Sequence, residues 1–214
     1  MTDAVTPPQI VFIVDDDASV RTFLAQLMET NKLPSMTFET ARAFLENYRP
    51  GTPGCLVLDI HLPGMSGLDL QKELVSRGIE IPIIILTGAG DIGMAREAFK
   101  SGVVDFVTKP FKNAELLECI DRALARDIDL RRRNTVANDA RTRFARLSAR
   151  EREVVDLLVE GKSTKEIAFQ LSLSPKTVDV HRANGMRKLD VNSIAEMVHL
   201  SVALGSEPRH ARDS

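Results

Sequence analysis

Five short apolar runs alternate with segments of helical periodicity over the first 125 residues, and this alternation restricts the fold more than any other feature. The runs are Ile10–Val14, Pro34–Phe38, Cys55–Leu58, Ile81–Leu86 and Val103–Val107. Most of them are continuous and rich in Val and Ile, which is typical of parallel strands buried on both faces. The alternation therefore predicts an α/β fold with a doubly wound five-stranded parallel sheet over residues 8–125.

The second half of the chain has no strand pattern and carries repeated helix-start signals. These signals lie at Ser148, Ser163, Ser174 and Ser193. Three of these serines are followed three residues later by Glu, which is the spacing of a capping box, and the other precedes Pro175, a residue favoured in a first helical turn. Because Gly161 can end the first helix, we predict a small all-α domain over residues 147–204.

The segment between the two predicted domains, residues 126–146, is interpreted as a helical extension of the first domain. A helical pattern starts near Asn113, which is predicted to cap it, and no Gly or Pro occurs from Asn113 to Arg146. The run Arg131–Arg133 forms either a solvated face or a contact with a phosphate backbone. The polar residues 205–214 are predicted to be a disordered tail.

Charge is distributed unevenly along the chain, which indicates that its two halves have different functions. The chain has a net charge of −2, but residues 1–125 hold 17 acids and 11 bases, residues 126–146 hold 3 acids and 7 bases, and residues 147–204 hold 8 of each.

Two cysteines, Cys55 and Cys119, are too few for a disulfide framework and are interpreted as core residues in a reducing cytoplasm. No apolar run reaches the roughly 18–20 residues that span a bilayer, and no signal peptide is evident.

Acidic side chains cluster at the predicted carboxyl ends of the strands, where an open α/β sheet binds its ligands. Asp15, Asp16 and Asp17 follow the first strand, and Asp59 follows the third. Thr87 ends the fourth strand and Lys109 follows the fifth. Crowded carboxylates need a cation, and oxygen ligands without His or Cys suit Mg²⁺. A carboxylate beside Mg²⁺ can attack a phosphoryl group and form an aspartyl-phosphate.

Two other interpretations apply to this acidic cluster. Any single Asp at a strand end can serve as a helix N-cap, and Asp17 or Ser19 is expected to do so here. The cluster can also belong to a phosphatase that acts on small molecules. However, no acid stands two residues after Asp59, whereas phosphatases with an Asp nucleophile carry one there, and the chain has no P-loop.

The segments Val14–Asp17, Leu58–Gly67, Leu86–Gly88 and Phe106–Phe111 closely resemble the receiver domain of two-component response regulators, which has a flavodoxin-like fold. The resemblance covers residues 10–125 and implies that Asp59 is the phosphoacceptor. It further implies that Asp16 binds Mg²⁺ directly, Asp15 through water and His61 through its backbone carbonyl.

The same resemblance implies roles for residues at the ends of strands four and five. Lys109 would pair with the phosphoryl group, with a cis bond to Pro110. Thr87 and Phe106 would form the switch pair, although Phe106 has the alternative of being a core residue only. The switch would alter the surface at about residues 91–108, where a second copy would bind.

The helical domain has the organisation of a helix-turn-helix unit, with a recognition helix predicted over Pro175–Leu189. Its N-terminus can meet phosphate, and Val180 or Ala183 can lie near a thymine methyl group. The predicted DNA contacts are Lys176, Thr177, Asp179, Val180, Arg182, Ala183, Arg187 and Lys188. For each basic residue the alternative is a solvated face, and for the domain the alternative is a protein-interaction role.

The segments Leu147–Val154, Gly161–Ala168 and Leu173–Asn184 resemble the LuxR-type DNA-binding domain. Together the two halves look like a NarL/FixJ-class response regulator, closest to its FixJ-like branch. Gly185 departs from the family, in which an aliphatic residue is usual, and is expected to cost about 1 kcal/mol and to loosen the recognition helix.

The resemblance implies a phosphorylation-switched transcription regulator that is not an enzyme, apart from self-phosphorylation from a donor and autodephosphorylation. A sensor histidine kinase would phosphorylate Asp59, and the resulting homodimer would bind promoter DNA and activate transcription, with RNA polymerase as a further partner and no membrane contact. The alternative is a phospho-independent DNA-binding regulator with a degenerate receiver. The intact acidic set argues against that alternative.

Overall fold

The computed structural model describes residues 7–88 and 103–205. The chain divides into two units, residues 1–130 and 131–214. Among the helices of the described segments, none is long and apolar enough to cross a membrane. The predicted disordered tail falls almost wholly on residues 206–214, which lie outside the described residues, as does most of the surface predicted at residues 91–108.

Over its described residues, the first unit contains one parallel sheet in the strand order β2-β1-β3-β4-β5. Its strands are β1 Ile10–Val14, β2 Ser35–Phe38, β3 Gly54–Asp59, β4 Ile83–Gly88 and β5 Asp105–Lys109. The fold class is as predicted, but β4 and β5 each begin two residues later than the apolar runs. Pro82 has no N–H to donate to a ladder, and its carbonyl accepts from Leu56 N at 2.8 Å just before β4 starts.

Helices cover both faces of this sheet. Within residues 7–88 and 103–130, they are α1 Ala18–Thr30, α2 Ala41–Asn47, α3 Gly67–Ser76 and the first half of α4 Asn113–Phe144. Alternate strand residues enter two separate cores, so that Phe12 and Leu56 pack with α2 and α3 while Val11 and Val57 pack with α1 and α4. Both cysteines are buried and free, as the sequence predicts.

Helix α4 runs without interruption from Asn113 to Phe144. Because Asn113 is its first helical residue and the amide of Leu116 donates to the Lys112 carbonyl, Asn113 is not the capping residue that we predicted. Within the first unit, the buried carboxylate of Asp127 accepts from the Gly54 amide at 3.0 Å. This bond attaches α4 to the beginning of the central strand.

The second unit contains the end of α4 and the helices α5 Ala149–Val159, α6 Thr164–Leu171, α7 Pro175–Leu189 and α8 Ile194–Ala203. Both reciprocal capping boxes at Ser148 and Ser163 are present. The third is only half formed, because the Glu196 carboxylate accepts from Asn192 N at 2.8 Å instead of from the Ser193 amide.

The predicted loosening of α7 at Gly185 is not supported by its packing. Gly185 is buried, and a Cβ at this position would lie 2.9 Å from Val155 Cγ2 on α5. The missing side chain therefore lets α7 approach α5 closely, so the glycine improves packing where the sequence alone indicates only a weakened helix.

Candidate functional site

The carboxyl ends of three strands bring acidic groups and one lysine together. Asp15 follows β1, Asp59 ends β3 and Lys109 ends β5. Lys109 Nζ lies 2.7 Å from Asp15 Oδ2 and 3.1 Å from Asp59 Oδ1. Carboxylate oxygens of Asp15, Asp16 and Asp59 all lie within 4.8 Å of one another. The predicted convergence of these side chains is thus a feature of the structure.

The loop after β1 is held in place by hydrogen bonds to Asp15. Asp15 is fully buried, and its Oδ1 accepts from the Asp17 amide at 2.9 Å. Its backbone carbonyl accepts from Arg21 Nη1 at 2.7 Å. Asp17 is the N-cap of α1, where it accepts from Ser19 N at 2.7 Å. Asp16 is exposed and has its carboxylate available at the rim of the site.

Burial and neighbouring charges shift the pKa values of this cluster in opposite directions. Burial raises the pKa of Asp59, Lys109 opposes that rise, and Asp15 and Asp16 add to it. Burial alone would lower the pKa of Lys109, but its hydrogen bonds to Asp15 and Asp59 raise it overall. Lys109 thus pairs with two of the three clustered carboxylates, those of Asp15 and Asp59, and an additional cation would stabilise the ionised forms of all three.

The donor set fits a hard divalent cation. The clustered groups are all carboxylate oxygens, which Mg²⁺ prefers, and the exposed Asp16 leaves a route for the ion to enter. His61 is exposed in the loop that follows β3, two residues after Asp59. The structure brings Asp15, Asp16 and Asp59 together, while the predicted contribution of the His61 carbonyl stays a prediction.

The two residues of the predicted switch pair lie on neighbouring strands. Thr87 is fully buried, and its hydroxyl donates to the Gly88 carbonyl at 3.3 Å. Phe106 is half-buried, packs on the core that contains Ile85 and is paired with Ile85 in the sheet register. Since Ile85 and Thr87 share one face of β4, Thr87 is the diagonal neighbour of Phe106 on that face.

The Lys109–Pro110 peptide bond is cis, which confirms the prediction made from the resemblance.

In the second unit, the recognition helix runs from Pro175 to Leu189, as predicted. Its exposed residues recur at helical spacing along one side. They are Lys176, Asp179, Val180, Ala183 and Arg187. Thr177 is half-buried and its hydroxyl is 2.8 Å from the hydroxyl of the N-cap residue Ser174. Five of the eight predicted DNA contacts therefore form one accessible surface.

Two basic residues among the predicted DNA contacts, Lys188 and Arg182, lie beside acidic partners within the domain. Lys188 Nζ lies 2.6 Å from Glu151 Oε2, and Lys188 together with Ser148 lowers the pKa of the buried Glu151 to about 2. The geometry therefore favours a scaffold role for Lys188. Arg182 lies 3.8 Å from Asp179 Oδ1, which is a weak contact between half-exposed groups.

Sequence reasoning missed two arginines that organise these regions. Arg21 supports the acidic loop through the Asp15 carbonyl, and Arg143 donates to the Leu189 carbonyl at the end of α7 at 3.1 Å. The only local sign of the role of Arg21 is its position as a basic residue in the second turn of α1. No local signal identifies Arg143, because its acceptor lies 46 residues further along the chain.

Comparisons with known proteins agree with these two regions. Residues 11–121 match the response regulator receiver domain, and residues 145–201 match the bacterial regulatory proteins of the luxR family. Transcriptional regulatory protein FixJ of Azorhizobium caulinodans is 40% identical over 198 residues, covering 92% of this chain and 94% of the relative.

Two further relatives extend over nearly the whole chain. Nodulation protein W of Bradyrhizobium diazoefficiens is 40% identical over 205 residues, covering 96% of this chain and 90% of the relative. The solved structure of the response regulator StyR has a TM-score of 0.77 and 40% identity, covering 91% of this chain and 98% of StyR.

The chain belongs to the two-component response regulators of the FixJ-like NarL/FixJ type, with a receiver domain followed by a LuxR-type DNA-binding domain. It therefore controls transcription as part of a two-component system, in which a histidine kinase and DNA are the partners. Receiver domains of this family normally bind Mg²⁺ at an acidic cluster, and here Asp15, Asp16 and Asp59 form one.

Proposed function

We propose that Asp59 accepts a phosphoryl group from a histidine kinase or a small phosphodonor, and that this step switches DNA binding by the second unit. The observation that carries the proposal is the position of Lys109, whose ammonium group lies between the carboxylates of Asp15 and Asp59 at 2.7 Å and 3.1 Å. No acid occupies position 61, where a phosphatase with an Asp nucleophile would need one.

Phosphoryl transfer forms a P–O bond to Asp59 as the donor's bond to phosphorus breaks, a P–N bond in a phosphohistidine and a P–O bond in acetyl phosphate. An oxygen of the Asp59 carboxylate attacks the phosphorus, the bond to the donor's leaving group breaks, and the leaving group takes the electron pair. Lys109 moves its hydrogen bond from the Asp59 carboxylate to an oxygen of the new phosphoryl group, while the carboxylate of Asp15 continues to accept a hydrogen bond from Lys109. Asp16, Asp59 and the His61 carbonyl would hold Mg²⁺, with Asp15 contributing through water, and the ion would supply positive charge to balance the transferring oxygens.

The proposed switch uses the buried hydroxyl of Thr87. A phosphoryl group on Asp59 attracts this hydroxyl, and the ring of its diagonal neighbour Phe106 turns into the space that Thr87 leaves. The surface at about residues 91–108 then pairs with a second copy, which makes the active form a homodimer. Most of that surface falls on residues 89–102, outside the described part of the chain.

The proposed DNA-reading surface is the exposed side of α7. Lys176 at the helix N-terminus meets backbone phosphate, and Val180 and Ala183 face the base edges of a major groove. We leave Lys188 out of this surface because it pairs with Glu151. Since the second unit carries equal numbers of acids and bases over residues 147–204, two copies on two half-sites would supply the affinity that one copy lacks.

Other aspects of the proposal follow from this function. The chain is not an enzyme apart from its own phosphorylation and dephosphorylation. It works in the cytoplasm as a transcription activator, with RNA polymerase as a further partner.

Footprinting with and without phosphodonor tests the proposal. DNA is first selected from a random 20-base-pair library by the phosphorylated chain, and wild type is then compared with Asp59→Asn. We expect acetyl phosphate and Mg²⁺ to strengthen protection by wild type only, with the same basal binding in both proteins. A phosphodonor response that persists in Asp59→Asn would contradict the proposal, and equal binding under all conditions would favour the phospho-independent regulator.

A further inference from the structure

The last turn of α4 contacts the C-terminal end of the recognition helix. Arg143 Nη1 donates to the Leu189 carbonyl at 3.1 Å and to the Asp190 carbonyl at 3.5 Å. Arg143 Nε lies 2.9 Å from Asp139 Oδ2, one turn earlier on α4. The guanidinium is thus held from behind by a carboxylate while its other face donates to the helix end, and its side chain is only 29% exposed.

The end of α7 needs such a donor. The last carbonyls of a helix have no partner within the helix, and the C-terminal end carries partial negative charge that favours a cation. Asp190 ends α7 in the left-handed conformation, at φ 54°, and its own amide closes the last turn by donating to the Arg187 and Met186 carbonyls. Arg143 supplies charge-assisted hydrogen bonds to the two carbonyls that follow.

The residue next to Arg143 fixes this turn of α4 within the second unit. Phe144 is buried in the same core as Val178 and Leu189, and the Arg152 guanidinium lies 4.6 Å from the centre of its ring. The α4 backbone at Phe144 is therefore set by core packing. Arg143 then has a fixed origin from which to hold α7.

We propose that Arg143 is a positioning residue for DNA recognition, which makes the last turn of the linker helix part of the DNA-reading unit. This inference rests on the proposed DNA-binding function of α7. Ala183 lies six residues before Leu189, about 9 Å along the helix axis, so a change at the held end alters how the exposed side of α7 meets the groove. The Lys188–Glu151 pair ties the same end to α5 through a side chain, whereas Arg143 holds the backbone itself.

The test uses the full chain with Arg143→Met and the matched control Arg141→Met. Arg141 lies on the same helix and loses the same charge, but its bond is to Asn138 and not to α7. In Arg143→Met we expect amide hydrogen exchange at residues 187–191 to be about ten-fold faster, while Arg141→Met exchanges like wild type. Arg143→Lys should recover part of the protection, because an ammonium group also donates to carbonyls.

A DNA measurement separates positioning from a merely structural role. On the sequence that wild type selects from a random 20-base-pair library, Arg143→Met should bind about five-fold more weakly, with the same slope of log Kd against log salt concentration. Faster exchange without weaker binding, or a slope reduced by about 1 as for a lost phosphate contact, would overturn the proposal. If wild type selects no sequence, the proposed function fails, and the exchange experiment still decides whether Arg143 holds the helix end.

Discussion

The acidic site of the first unit and the residues that support the recognition helix have opposite effects on the pKa of a buried carboxylate. At the acidic site, burial and two neighbouring acids raise the pKa of Asp59 although Lys109 lies beside it. In the second unit, Lys188 and Ser148 lower the pKa of the buried Glu151 to about 2. The surroundings of Asp59 thus disfavour its ionised form, whereas the surroundings of Glu151 favour its ionised form.

This difference distinguishes a site that carries out chemistry from a helix that recognises DNA. A carboxylate whose charge is poorly compensated gains most from a bound cation or from conversion to an acyl phosphate, so chemistry is expected where acids crowd together. A recognition helix must hold its shape while it presents side chains outwards, and here the half-buried Lys188 near its end is paired with Glu151 beneath it.

The largest effect is expected at Lys109. Lys109→Gln removes the only ammonium group in the described acidic site, which leaves Asp15 and Asp59 without their shared partner. We expect the rate of phosphorylation by acetyl phosphate to fall by about 100-fold or more, which intact-mass measurement over time would record. Lys112→Gln, at an exposed position three residues later, serves as the control. Equal rates in the two variants would remove Lys109 from the reaction.

The next effect concerns packing beneath the recognition helix. Gly185→Val places methyl groups where a Cβ alone already lies 2.9 Å from Val155 Cγ2, and should destabilise the second unit by about 1–3 kcal/mol. Val155→Ala in the same chain should restore part of the loss. The chain has no Trp, and its single Tyr48 lies in the first unit, so amide exchange of buried α5 and α7 residues is the suitable measurement. Unchanged exchange in Gly185→Val would refute the packing argument.

A smaller effect distinguishes the two lysines of α7. Lys176 is exposed at the helix N-terminus, while Lys188 is paired with Glu151. Lys176→Gln should reduce the salt slope of DNA binding by about 1 and weaken binding on all sequences, because one phosphate contact is lost. Lys188→Gln should leave the slope unchanged. The reverse result would show that Lys188 leaves Glu151 to contact DNA.

The smallest effect is the pH dependence of Glu151. Its pKa is lowered from 4.5 to about 2 in the folded chain, so its contribution to stability is complete above about pH 4.5 and is lost as the pH falls towards 2. Glu151→Gln lacks this titration. The stability difference between wild type and Glu151→Gln, measured by amide exchange of α5, should be largest near pH 7 and shrink below pH 4.5. A difference that stays constant with pH would exclude the carboxylate charge as its source.

Most of the sheet could be predicted from the sequence because β1, β3 and β4 are buried on both faces. Continuous runs such as Ile10–Val14 are a direct consequence of that burial. The convergence of Asp15, Asp16 and Asp59 followed from the same prediction, since parallel strands place their carboxyl ends at one edge. Strand starts were less accurate because they depend on which backbone groups find partners, as at Pro82.

The contacts that position α7 could not be predicted, because they join distant parts of the chain. Arg143 and Leu189 are 46 residues apart, and Lys188 and Glu151 are 37 apart. The sequence marked Lys188 as a base on a recognition helix but could not show that it is half-buried beside an acid. In the same way, helix propensity describes Gly185 as a weakness, whereas its closeness to Val155 exists only after α5 and α7 pack.

The most direct test of the account is whether the chain forms an aspartyl-phosphate at Asp59. Purified wild type and Asp59→Asn are incubated with Mg²⁺ and acetyl phosphate, and their intact masses are compared. Phosphorylation of Asp59 predicts an acid-labile gain of about 80 Da, one phosphoryl group, on wild type only, and its loss when Mg²⁺ is removed by a chelator. The absence of this adduct from wild type, or an equal adduct on Asp59→Asn, would contradict it.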